Sequence, residues 1–517
     1  MATDVPLPPL EAAPVAAIVA PVEEGAPITT ESHGFRYTIV GNTLLASDVL
    51  IGAVQRATTP REAIDGLNAE YQRVGFFLTA LRGEVNGQDV ALRVIHGRIA
   101  ETDLVPSLAP FFSGIEDRAD ITRATVIRKS TLAEGFAGRQ GMRPKINFAA
   151  GSTFGGSKMT VGEEPIEGAK SWNAGLGFGN LGSRFSSRYL ASASAAFRPG
   201  DGVEFTANYA QGIPGLSPDT AGASYRNGGF GASIITPWGL YGMTYTGTTY
   251  RIGESAAPLY PEGDIMNIGI TGTQLAFADE SSRWVVTQSF THNSNEVTVF
   301  DGAFTITDQH YDVLALGTSF NKTFALFGLN ASSNVGVTLQ KGTSPRTGTF
   351  VPQGDGVADP RFGLVQATFN YSQSLPAGFS ASFALSGQWA DATVPQNQQW
   401  VLGGFGNLTA YVPAVLVGDS GTLLRIGAYS PPWSAYGFTF TGSAFVEGGI
   451  VRSHFTPFLT PVTRGLSDAG LSVSGNTSFG TSLTLAYAWP LTSRNLDEKA
   501  LDSLSKANLY FTLNQSF

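Results

Sequence analysis

From about residue 170 to Phe517 the chain repeats one pattern: stretches of roughly ten residues in which every second side chain is apolar, separated by turn residues. "WNAGLGF" sets Trp172, Ala174, Leu176 and Phe178 on one face, and "LYFTLNQSF" at the end does the same with Leu509, Phe511 and Leu513. Further stretches such as "GVEFTANYAQ", "IMNIGITGTQLAF", "GFSASFALSGQWA" and "YGFTFTGSAFVEGG" continue the series, and the helical period is absent. A period of two means strands with two unlike faces. Composition decides what those faces meet. Only 14% of residues are charged, against roughly 25% in soluble globular proteins, and a soluble β-domain of this size needs charge on its outer faces. A strand with one face to lipid and one to water does not. No run of about 18 uninterrupted apolar residues occurs, which excludes a spanning helix. The expected fold for 170–517 is therefore a transmembrane antiparallel β-barrel. Terse and long connections alternate, and about 350 residues at about 22 per strand and connection give about 16 strands.

Other features close off other chemistries. Cysteine is absent, which removes disulfides and thiolate chemistry. The net charge of −9 offers no cationic field to gather phosphates, so nucleic acid is not an expected partner. His33, His96, His292, His310 and His454 show no paired spacing, and neither a metal nor a cofactor is expected. "GFGNLGSR" satisfies G-x-G-x-x-G through Gly177, Gly179 and Gly182, but a dinucleotide site needs a helix after the glycines. The run after them, "RFSSRYLASASAAF", alternates again, so the reading is strand–turn–strand. "GDSG" at 418–421 spells a protease motif without companion motifs, and no enzyme activity is expected. All seven Trp fall in the barrel region, at 172, 238, 284, 389, 400, 433 and 489, several beside strand ends, as interfacial girdles require.

Before the barrel the texture changes. Residues 1–30, "MATDVPLPPLEAAPVAAIVAPVEEGAP" and a few more, read as a Pro/Ala-rich flexible arm; they lack the basic start of an intact signal peptide. From 31 to 105 the order is β-α-α-β-β. "GFRYTIVGNT" is a strand, and "PREAIDGLNAEYQRVGF" a helix with Thr59 and Pro60 as start signals and Gly75 as stop. "FFLTALRGEV" and "DVALRVIHGRI" are strands joined at Asn86–Gly87. A second module at 106–165 begins with one or two short helices in "APFFSGIEDRADITRATVIRKSTLAEGF" and ends in "PKINFAAG" and "GSKMTVGEE".

This arrangement resembles the two-partner secretion outer-membrane transporters, the TpsB or haemolysin secretion/activation family of the POTRA–β-barrel superfamily. "YTIVGNTLL", "LNAEYQRVGF" and "LRVIHGRI" resemble a first POTRA module; "GSTFGGSKMTV" and the helical stretch before it resemble a second. "NAGLGFGNLGSRFSSRYLASA" is similar to the family's first barrel hairpin, and "LSDAGLSVSG" and "LTLAYAWPL" to its penultimate strands. "WVLGGFGNLTAYVPAVLVGDSGTLLRIG" resembles the long lid loop, placed at about 393–421. Gly403, Gly404 and Phe405 open it, and Gly418, Asp419, Gly421 and Arg425 match its exit. Phe445, Glu447 and Gly449 match an acidic inner-wall signature, and Phe511, Leu513 and Phe517 a C-terminal barrel-assembly signal. One departure stands out: the family's loop tip reads Val-Arg-Gly-Tyr/Phe, whereas the aligned residues here are Leu408, Thr409, Ala410 and Tyr411. The expected arginine partner of Glu447 is missing from the tip. Either Arg425 or another basic group substitutes, or the loop is held more weakly.

The resemblance implies α+β POTRA modules in the periplasm followed by a barrel in a bacterial outer membrane, with the lid loop in or near its lumen. It implies type V secretion: capture of an unfolded TpsA-like exported partner, by extended segments added at "LTALRGEV" or "DVALRVI", and passage through the barrel. Outer-membrane lipids and the barrel-assembly machinery are the other implied partners. The alternatives are a barrel-assembly factor of the same superfamily, a passive porin, and an enzyme with a soluble β-domain.

Overall fold

The computed structural model describes residues 26–183, 186–217, 220–349, 358, 360–454, 462–496 and 509–517. Of the expected N-terminal arm, residues 1–25 lie outside this set. The chain divides near Ala169–Lys170 into two compact units.

The first unit holds two sheets. In one, β1 (Ile28–Ser32), β2 (Phe35–Val40), β3 (Ala80–Asn86) and β4 (Asp89–Ile95) stand in the order β1-β2-β4-β3, with β2 and β4 parallel. Helices α1 (Ser47–Gln55) and α2 (Pro60–Val74) cover it. The boundaries of α2 have local causes. Thr59 Oγ1 accepts the Glu62 N–H, and Glu62 Oε2 accepts the Thr58 N–H at 2.8 Å, so the first orphan donors are met. At the other end Gly75 takes φ 97°, the left-handed cap that glycine adopts without strain. The amphipathic face of α2 buries Ala63, Leu67 and Tyr71 against Tyr37, Ile39, Leu50 and Leu92. In the second sheet, β5 (Arg98–Leu104) pairs in parallel with β7 (Gly156–Pro165), which pairs antiparallel with β6 (Met142–Ala150). Helix α3 (Arg123–Arg139) contributes Val126, Ala133 and Ala137 to a core with Ile99, Phe112, Ile115 and Met159.

Two strand readings are corrected by this pairing. "DVALRVIHGRI" is not one strand: it breaks at His96–Gly97, and Arg98–Leu104 enters the second sheet. At Gly97 a β-carbon would stand 2.1 Å from the Leu78 carbonyl oxygen, so the chain turns between the sheets where no side chain fits. Strand β4, expected as a free edge, is paired on both sides; the edges are β1, β3, β5 and β6. Strand β1 itself begins inside the stretch assigned to the arm.

The second unit is a closed antiparallel barrel of sixteen staves. Ser420–Tyr429 and the short Trp433–Ala435 both pair with Phe438–Arg452 and form one interrupted stave. Outward positions are apolar and exposed, as on Phe438–Arg452, where Val446 and Ile450 alternate with buried Phe445, Glu447 and Gly449. Stave length is uneven: Phe304–Leu326 and Leu329–Thr349 pair along nearly all of their 23 and 21 residues. The closing pair, Trp172–Gly179 with Leu509–Ser516, meets only from Gly175–Ser516 to Gly179–Thr512. Past that short seam the Asn180 side chain donates to the Leu509 carbonyl and accepts the Phe511 N–H, at 2.8 and 2.7 Å, extending the ladder with an amide of its own. The glycine run that imitates a nucleotide fingerprint thus serves a strand, a turn and the barrel seam. Phe511 packs on Phe178 and Tyr189 there, Leu513 points outward, and the Phe517 N–H bonds the Ala174 carbonyl.

Six of the seven tryptophans stand on the barrel's exposed surface, at 39–75% exposure. Trp400 does not belong to that girdle; it lies on a hairpin packed against the wall at Gly421.

Candidate functional site

The connection between Ser380–Ala390 and Ser420–Tyr429 is long and has its own structure. Trp400–Leu402 pairs with Leu416–Gly418 as a two-stranded stem, and 403–415 form the tip. The tip is wound by its own backbone: Gly403 N–H bonds Asn407 O, Gly404 N–H bonds Tyr411 O, and Asn407 N–H bonds Gly404 O. At Gly403, with φ 109°, a β-carbon would lie 2.2 Å from the Val412 carbonyl oxygen, so only glycine permits this entry. Thr409 Oγ1 accepts the Gly406 N–H at 3.0 Å, and Leu408, Thr409, Ala410 and Tyr411 are all buried.

The stem lies against the wall because the wall is notched. A β-carbon at Gly421 would be 2.2 Å from the Trp400 ring, and one at Gly449 would be 2.8 Å from Leu402. Gly418 is closed in by the Arg452 backbone. Asp419, 1% exposed, braces the exit: Oδ1 accepts the Val394 N–H and Oδ2 the His454 N–H, at 2.9 and 2.6 Å. "GDSG" builds no triad, since Ser420 Oγ accepts the Ala390 N–H and His454 Nε2 meets the Ala390 carbonyl.

Beneath the tip, three charged side chains form one row across three neighbouring strands. Arg425 is the register partner of Glu447, and Glu447 of Asp468. Two carboxylates side by side repel and need donors. Arg425 Nη1 bonds Glu447 Oε1, and its guanidinium lies over the Phe445 ring at 4.4 Å. The remaining donors come from the loop's backbone: Thr409 N–H to Glu447 Oε2 at 2.6 Å, and Ala410 N–H to Asp468 Oδ2 at 2.7 Å. Tyr510 adds a third hold, its hydroxyl donating to the Tyr411 carbonyl at 2.9 Å, while Tyr411 donates to the Ser467 carbonyl and Phe405 packs on the Tyr510 ring.

The structure thus brings together Gly403, Gly404, Phe405, Thr409, Tyr411, Gly418, Asp419, Gly421, Arg425, Phe445, Glu447 and Gly449. Phe511, Leu513 and Phe517 stand apart, on the closing strand. The alternatives left open by the missing arginine resolve in part: Arg425 does pair with Glu447, but from the wall itself, and the tip is held by main-chain amides. Two members of the cluster escaped the sequence reading, Asp468 and Tyr510. Each carried a signal: Asp468 sits in the alternating run "LSDAGLSVSG", and Tyr510 occupies the inward phase of "LYFTLNQSF".

The chain thus forms a closed barrel after two small α/β sheets, and that fold has solved counterparts. The similarity in fold is extensive. CdiB from Escherichia coli superposes with a TM-score of 0.76 at 16% identity, covering 99% of this chain and 94% of that one. CdiB from Acinetobacter baumannii gives 0.67 at 14% identity, covering 96% and 91%. Among curated proteins, the heme/hemopexin transporter protein HuxB of Haemophilus influenzae (strain 86-028NP) is 22% identical over 297 residues, 55% of this chain and 49% of its own length. That match spans about half of the relative. No family model matches. Of these relatives, the curated one is described as a transporter.

Proposed function

We propose that this chain is the outer-membrane component of a two-partner secretion system, moving an unfolded exported protein from the periplasm through its barrel to the cell surface. In this reading the two N-terminal sheets are periplasmic POTRA modules, the second taking Arg98–Leu104 from the stretch 31–105 expected as the first, and the connection at about 393–421 is a lid in the lumen. Phe511, Leu513 and Phe517 form the strand read by the barrel-assembly machinery. The exported chain adds its extended segments to the free edges β1, β3, β5 or β6, where main-chain hydrogen bonds tolerate many sequences. Folding of the cargo outside makes retreat unfavourable, so no nucleotide is required.

The observation that carries this reading is the hold on the loop tip by the Glu447–Asp468 pair. A connection that served only to join two strands has no need of a buried acid row matched to two consecutive amides. Such a hold is directional and can be exchanged for water or for the backbone of a passing chain, which is what a lid requires. The test is co-expression with the product of the adjacent reading frame. Full-length chain delivers that protein to the surface, and deletion of 31–105 abolishes delivery while the barrel still inserts. No delivery by the full-length chain, together with a steady conductance unaffected by changes at Glu447, would leave a passive pore, and delivery that survives the deletion would overturn the role given to the N-terminal modules.

A further inference from the structure

The outer wall carries a hollow as well as a smooth apolar belt. Val203, Ile234, Met243, Ile270, Phe290 and Leu314, on six consecutive staves, border a cavity of about 700 Å³. Glycine opens its floor. Gly272 stands opposite Tyr241 in register, and a β-carbon there would lie 3.0 Å from Gln288 Oε1 and 3.3 Å from the Tyr241 ring. Met243, Ile270 and Leu314 are each more than half exposed, so the hollow opens outward and is continuous with the lipid-facing wall.

One edge of this apolar hollow is polar. Gln288 alternates in phase with exposed Trp284 and Phe290, and Gln274 with exposed Ile270, so both amides face outward. Gln288 Nε2 donates to Gln274 Oε1 at 2.6 Å, and Gln274 Nε2 approaches the Tyr241 hydroxyl at 3.5 Å. A carboxamide against hydrocarbon is costly unless its hydrogen-bonding capacity is used. A glutamine amide has two N–H donors and an acceptor oxygen, and the bond to Gln274 occupies one donor of Gln288. The trio also has a definite position along the wall. Tyr241 precedes Met243 on the way up from the turn at 237–238, Gln274 follows Ile270 on the way down to 279–281, and Gln288 precedes Phe290 on the way back up. All three therefore sit on the short-turn side of the apolar residues. Exposed Trp238 and Trp284 mark the same end, as aromatic rings do at a membrane interface.

We propose that this hollow binds one glycerophospholipid from the leaflet on the short-turn side. One acyl chain lies over Gly272 between Met243, Ile270, Phe290 and Leu314, and the ester and glycerol oxygens meet Gln288, Gln274 and Tyr241. The polarity of the site, amides toward the interface and hydrocarbon toward the bilayer centre, is that of such a lipid in place. This inference rests on the membrane-spanning reading of the barrel and is independent of what the barrel secretes.

The test is native mass spectrometry of the full chain in mild detergent with palmitoyl-oleoyl phosphatidylethanolamine added. One lipid per chain is expected to survive activation that strips detergent and loosely held lipid. Gln288→Leu keeps the bulk, removes the donor, and is expected to weaken retention about five-fold, the worth of about one hydrogen bond. Gly272→Leu fills the hollow and abolishes retention, while Leu471→Ile on another part of the outer wall leaves it unchanged. Equal retention in native, Gln288→Leu and Leu471→Ile chains overturns the proposal even where Gly272→Leu fails to assemble, and so does preferential retention of lipid A. A chain that inserts into vesicles of this lipid and conducts, yet keeps none, breaks this inference alone. A chain that does not insert breaks the membrane reading beneath it.

Discussion

Strand β4 of the first unit and the stave Phe438–Arg452 obey the same period with opposite results. In β4, Val90, Leu92 and Val94 are at most 5% exposed while Asp89, Ala91 and Arg93 face away from the core. In the stave, Glu447 is 1% exposed while Val446 and Ile450 are 50% and 40% exposed. Alternation fixes that a strand has two faces; the solvent on each side fixes which residues belong there. Water outside drives apolar groups into a core, whereas hydrocarbon outside leaves the interior for polar groups that find partners. One chain uses both solutions, and the boundary between them near residue 170 is where the helical period disappears.

That inversion can be attacked from either side. Leu92→Asp places a carboxylate where the stave keeps one, but with no donors around it. A loss of about 4 kcal/mol or more is expected, read as rapid amide exchange throughout Asp89–Ile95 in the full-length protein in micelles. Glu447→Leu makes the reverse exchange and leaves Arg425 and the Thr409 N–H without their acceptor, at a cost of about 3 kcal/mol. Planar-bilayer recordings should show a larger, noisier conductance as the tip comes free. Val446→Asp, one residue away but facing lipid, should cost about 2 kcal/mol through hydrocarbon exposure alone. Its readout is a lower refolding yield into vesicles with the conductance of assembled barrels unchanged. In the first unit Thr59→Ala removes the cap of α2 and should cost about 1 kcal/mol, seen as faster exchange at its first turn.

The smallest effect concerns pH. Hydrogen bonds from Thr58 hold the Glu62 carboxyl below the usual carboxylate range, and Arg73 and Arg56 do the same for Glu70. A depressed folded pKa stabilises above the unfolded value and is lost as pH falls through the folded one. Exchange in α2 should therefore quicken on acidification below about pH 4. An α2 indifferent to that step would show that these surface carboxylates contribute nothing measurable.

How much could be read from sequence depends on how local each cause is. The barrel was legible because a lipid-facing surface marks every strand, and α2 because Thr59, Pro60 and Gly75 are its own terminal signals. The break at His96–Gly97 was not, since "DVALRVIHGRI" keeps an apolar period through the point where hydrogen bonding changes partners. Trp400 heads the stretch that resembles the lid loop, so its place within a loop was legible, whereas the wall position its hairpin packs on, Gly421, was not. Asp468 and Tyr510 were missed for a related reason: their partners lie 58 and 99 positions away, and the groups they grip are a peptide N–H and a carbonyl. A search for an arginine at the tip looks for a side chain where the contact is made by backbone.

That last point governs which mutations the loop can absorb. Nineteen of the twenty amino acids offer an amide hydrogen, so at position 410 the chemistry of the grip does not depend on the side chain and only proline removes its donor, while the full burial of Ala410 limits the position to small residues. The specificity of the clasp resides in the wall's acids and in the glycines that shape the turn. The residue being clasped is limited by the room around it and not by the chemistry of its side chain.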